Sequence, residues 1–120
     1  MPFKAVLNQL LQDVPGSLGA VIVDWEGEAV DQATRIGEYD IKILGAHYGV
    51  ILTLLRDALT RTGPDRPEEV VIRTKLGTTL IQPLTEDYLL LLQLQKGALV
   101  ARATQKLRIC AEQIDDDIAL

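Results

Sequence analysis

Two apolar stripes run along one segment of this chain, and a single sheet cannot hide both. From Ile41 to Arg61 the residues read as one long helix, with Asp40 placed to cap its start and Gly63-Pro64 to close it. At helical spacing Ile41, Leu44, Tyr48, Leu52, Leu55 and Leu59 fall within about 60° of a common direction. Ile43, His47, Val50, Leu54 and Ala58 form a second line about 110° away, with Ile51 between the two. A helix lying on a sheet needs an apolar arc only about 100° wide. The surplus stripe needs cover from elsewhere.

What remains of that helix is a narrow strip of small and polar residues: Lys42, Ala46, Gly49, Thr53, Arg56 and Thr60. Gly45 and Gly49 sit one turn apart, each costing about 1 kcal/mol relative to Ala. Two such costs imply close approach of another backbone, either a partner's or that of the chain's own sheet.

The rest of the chain supplies that sheet. Phe3, Val6, Leu7, Leu10, Leu11 and Val14 mark one buried face of a first helix, stopped by Pro15-Gly16. Leu18 to Val23 is a short, nearly continuous apolar run, the pattern of a strand covered on both faces. Asp24-Trp25-Glu26-Gly27 turns it into a more polar return strand over residues 28–33. Two further strands are expected at 68–74 and 78–84, with Pro83 at a strand end because it cannot donate to a ladder. A last strand, 88–94, carries Leu89-Leu90-Leu91-Leu92 without alternation, again a central strand. Gly97 opens a final helix over about 98–114, with Leu99, Ala103, Leu107, Cys110 and Ile114 on its stripe. The order α-β-β-α-β-β-β-α predicts an α/β (α+β) domain over residues 1–120, a five-stranded, mostly antiparallel sheet between helices. The polar strands at 28–33 and 68–74 belong at its edges. Asp115-Asp116-Asp117 oppose the dipole of the last helix, so residues 110–120 are expected to fray.

Composition closes several routes to function. With 12 Lys+Arg against 17 Asp+Glu among 120 residues, the chain is no general nucleic-acid binder. The apolar runs stop well short of a membrane span, and Met1-Pro2-Phe3-Lys4 leads into an amphipathic stretch, not a signal-peptide core. Ser17, His47 and Cys110 are each single copies. Ser17 lies in a turn without a nucleophile motif, and Cys110 falls on an apolar stripe where a thiol packs as a small hydrophobe. The alternate carboxylates of Asp24, Glu26 and Glu28 lack the spacing of a calcium loop, and no phosphate-binding loop occurs. No catalytic residue, metal or cofactor is expected, and the lone cysteine suits a reducing, cytoplasmic setting.

The surplus stripe then points to self-association. Four large side chains at about 1.5–3 kcal/mol each represent roughly 6–12 kcal/mol of gross driving force, enough to support a stable dimer. The expected interface is Ile43, His47, Val50 and Leu54 on the helix, with Val70, Val71, Ile72 and Arg73 on an edge strand that pairs with its symmetry mate.

In Val14-Pro15-Gly16, Gly19-Ala20-Val21-Ile22-Val23-Asp24 and Glu26-Gly27-Glu28, and in its element order, the chain resembles the roadblock/dynein light chain family, above all its stand-alone bacterial members of the MglB type. The resemblance covers nearly the whole chain and implies a roadblock/profilin-like fold and a dimer seam at the second helix and third strand. It also implies a cytoplasmic, non-enzymatic regulator or scaffold of a small Ras-like GTPase, stimulating GTP hydrolysis indirectly. Carried onto this sequence, the GTPase-facing strip is Lys42, Ala46, Gly49, Thr53 and Arg56. A structural adaptor in a larger complex is the first alternative. A small-molecule sensor is the second, disfavoured by an almost wholly aliphatic core.

Overall fold

The computed structural model describes residues 3–119. Met1 and Pro2, at the start read above as lacking a signal-peptide core, and Leu120, at the tip of the acidic end, lie outside them. The elements are α1 (Lys4–Asp13), β1 (Ser17–Asp24), β2 (Ala29–Thr34), α2 (Glu38–Thr60), β3 (Val70–Arg73), β4 (Gly77–Pro83), β5 (Tyr88–Gln95) and α3 (Val100–Ala119). The strands form one sheet in the order β2-β1-β5-β4-β3, every neighbouring pair antiparallel. The two polar strands do take the edges, and the continuous apolar runs of β1 and β5 lie inside.

Period-two alternation divides the core into two layers. Ala20, Ile22, Leu80, Leu90 and Leu92 turn to one face, where α1 and α3 cover them with Leu7, Leu11, Leu107 and Ile114. Val21, Val23, Ile81, Leu89 and Leu91 turn to the other, where α2 contributes Ile41 and Leu52. Two helices cover one face; α2 alone serves the other. Its backbone runs closest to β1 and β2.

Several boundaries differ from expectation for local reasons. Gly37, at φ 108°, turns the chain out of β2 and precedes α2, so the helix starts at Glu38. Asp40 therefore lies within the first turn beside Glu38, favouring the helix dipole without acting as the cap. Ala98 N–H donates to Gln95 O at 3.2 Å around Gly97, delaying α3 to Val100 and leaving Leu99 exposed, off the expected stripe. At the other end α3 continues to Ala119 instead of fraying near residue 110. Ile114 is buried and Ile118 packs on the same core, so apolar contact outweighs the unfavourable placing of three acids.

Candidate interaction surface on the second helix

The two stripes of α2 meet different fates. On the inner one Ile41 and Leu52 are fully buried, and Leu44, Tyr48 and Leu55 pack partly against the same core. On the outer one Ile43 is 38% exposed, Val50 55% and Leu54 65%, with Ile51 beside them and His47 and Ala58 also open. The exposed Ile36 and Tyr39 continue the apolar surface past the helix start. Nothing among the described residues seals this face.

The edge strand stands next. Val70 and Ile72 are half-buried on the α2 side of the sheet, while Val71 and Arg73 are exposed. Among the described residues no strand pairs with the outer side of β3.

The polar strip of α2 is mostly engaged within the protomer. A Cβ on Gly45 would stand 2.7 Å from a methyl of Val23, and one on Gly49 would stand 2.9 Å from Gly27 Cα. Gly27 takes φ 88° in the β1–β2 turn, closed by its N–H donating to Asp24 O at 3.0 Å. Asp24 Oδ1 accepts the amides of Glu26 and Glu28 at 3.0 and 2.9 Å, so this carboxylate organises a turn. Thr53 Oγ1 lies 2.8 Å from Trp25 O and 3.0 Å from Gly49 O. The Arg56 guanidinium stacks 3.9 Å above the Trp25 ring. Of the expected strip, Ala46, Gly49, Thr53 and Arg56 thus face the chain's own turn, and Lys42 stays exposed. The backbone that the two glycines admit is the protomer's own, and Ala46, Thr53 and Arg56 stay partly open beside it.

Trp25 was legible only as a turn residue, because its pairing with Arg56 spans two elements. The two residues line an open groove of about 1200 Å³ that also touches the α2–β3 loop, the β4–β5 turn and α3. Arg66 bonds Glu86 at 2.9 Å on its rim.

The candidate reactive groups do not converge. Ser17 is buried, its hydroxyl donating to Leu11 O at 3.1 Å. Cys110 packs in the α1/α3 layer, across the sheet from His47 on α2, and burial pushes its thiol up to about 12. Among the described residues no cluster could hold a metal ion, and no helix is long and apolar enough to cross a membrane.

The Roadblock/LC7 domain model matches residues 4–94. No curated protein sequence matches the chain. Among solved structures, a Roadblock/LC7 domain from Streptomyces avermitilis superposes with a TM-score of 0.88 at 15% identity, covering 98% of each chain. MglB of Myxococcus xanthus does so at 0.87 and 10% identity, over 98% of this chain and 94% of that one. An MglB with tetrameric arrangement gives 0.84 and 17% identity, over 97% of this chain and 88% of that one. At such identities the likeness is one of fold.

Proposed function

The chain belongs to the Roadblock/LC7 domain family, and from that premise we propose that two copies pair through α2 and β3 into a platform that regulates a small Ras-like GTPase. The observation that carries the pairing is the outer stripe of α2, open at Ile43, Val50, Ile51 and Leu54 in the protomer. Each side chain is already about half covered, so roughly half of the 6–12 kcal/mol for full burial remains to drive association. A contiguous apolar surface of this kind marks an interaction site. The tetrameric arrangement of one MglB of the same fold accords with self-association.

In this reading residues 1–120 act as one non-enzymatic domain in the cytoplasm, and the GTPase sits on the paired helices with Lys42 on its side of the seam. Arg56 is held on Trp25 and is therefore unsuited to reach a transferring phosphoryl group. Stimulation of hydrolysis would come from ordering the GTPase's own residues. Arg56→Ala should then leave any stimulation in place; abolished stimulation with binding intact would make Arg56 a finger.

The reading is tested by capture of a Ras-like protein loaded with a GTP analogue or with GDP. Retention that depends on the nucleotide is expected. Capture in neither state would remove the GTPase and leave a dimeric adaptor.

A further inference from the structure

The open edge of the sheet is charge-complementary to itself. Glu68 and Glu69 precede β3, Arg73 ends it and Lys75 follows, with Val70-Val71-Ile72 between. Two such strands match opposite charges only when they run antiparallel.

Backbone and side chains narrow the match further. Thr74 N–H donates to Gly77 O at 2.8 Å, so alternation turns the backbone groups of Ile72 and Val70 towards β4 and those of Glu69, Val71 and Arg73 outwards. Val70 and Ile72 face the α2 layer. Glu69 lies on the opposite face, where its carboxylate accepts from Arg108 Nε at 2.7 Å and from Nη2 at 2.9 Å. By the pleat, Val71 and Arg73 lie on the side of Glu69. Arg73 makes no ion pair among the described residues.

A two-fold axis along the sheet normal keeps both α2 helices on one face, so odd-numbered residues of β3 must oppose odd-numbered ones. Centring on Ile72 would set Val71 against Arg73, and centring on Val70 would set Val71 against Glu69. Centring on Val71 sets Val71 against its mate, Val70 against Ile72 under the α2 helices, and Glu69 against Arg73 twice. Only this register pairs like with like and charge with countercharge.

We propose that the paired β3 strands meet in the register centred on Val71, and that Arg73 of each copy completes an Arg73–Glu69–Arg108 cluster with the other. The inference rests on the paired reading above and adds what selects the partner and its register. The carboxylate already fixed by Arg108 presents a preorganised acceptor, so the incoming guanidinium loses little freedom in meeting it.

The test uses the full chain, with sedimentation equilibrium as readout and circular dichroism confirming the fold of each variant. Arg73→Glu places like charges opposite each other twice per dimer and should weaken dimerisation about tenfold or more. Glu69→Arg should do likewise, and mixing the two single variants restores one of the pairs in swapped form and recovers a heterodimer. Separately, Val71→Cys should cross-link between copies on mild oxidation faster than Ile72→Cys. Unchanged dimerisation in Arg73→Glu, no recovery on mixing, or faster cross-linking through position 72 would overturn the register. A parent chain that is monomeric at 100 µM (a concentration of the order at which weak dimers form) would instead overturn the paired reading itself.

Discussion

Gly27 and Gly49 meet backbone to backbone: a methyl on Gly49 would stand 2.9 Å from Gly27 Cα, and one on Gly27 would stand 2.8 Å from Ala46 O. This contact docks the β1–β2 turn on α2 and brings Trp25 under Arg56 and within reach of Thr53.

Gly49→Ala sets helix propensity against this contact. The helix gains about 1 kcal/mol from losing a glycine, and the overpacked contact costs about 1–3 kcal/mol because the opposing atoms are backbone. A net loss of up to about 2 kcal/mol is expected in urea unfolding. A variant more stable than the parent would show that the turn yields freely.

Leu54→Asp should dissociate the pair and leave the protomer folded, because this side chain is 65% exposed before any partner arrives. Light scattering should report the monomer mass, with the far-ultraviolet spectrum unchanged. A dimer that persists would place the seam elsewhere.

Asp115 gives stability a pH dependence. Burial, and then repulsion from Asp116, raises its carboxyl above the ordinary carboxylate value, and its Oδ1 is buried with no hydrogen-bond partner among the described residues. A raised folded-state value favours folding below the ordinary carboxylate pKa, and that contribution is lost as pH rises through the folded-state value. Asp115→Asn should therefore raise the melting temperature at pH 7, and the gain should vanish in acid below the ordinary value. An equal gain at both extremes would remove the carboxylate as its cause.

Cys110 should be nearly inert in the folded protein. With its thiol pushed up to about 12, roughly one part in ten thousand is thiolate at pH 8. Labelling by a thiol reagent should follow the unfolding rate and become immediate in urea. Prompt stoichiometric labelling of the native chain would contradict the packing of α3 on α1.

Much of the fold was legible because periodicity is a local record of burial. Leu18 to Val23 and Leu89 to Leu92 lack alternation, so they belong inside a sheet covered on both faces. Residues 28–33 and 68–74 are too polar for that place, and they form its edges. The second stripe of α2, from Ile43 to Leu54, announced itself as more apolar surface than one sheet can hide. The self-complementary charges flanking β3 stand in the sequence too, yet their register emerged only when the Glu69–Arg108 contact showed which side of the sheet each faces.

Tertiary structure decided what the small-and-polar strip of α2 meets. Spacing placed Gly49, Thr53 and Arg56 on one line, and it carried no information on which backbone lies opposite. That followed from β1 and β2 folding beneath the helix, so that a turn distant in sequence reached Gly49. It also decided the end of α3, where burial of Ile114 and Ile118 outweighs the local electrostatics of three acids. A sequence expresses which residues must leave water; which neighbours receive them is set by the joint packing of elements far apart along the chain.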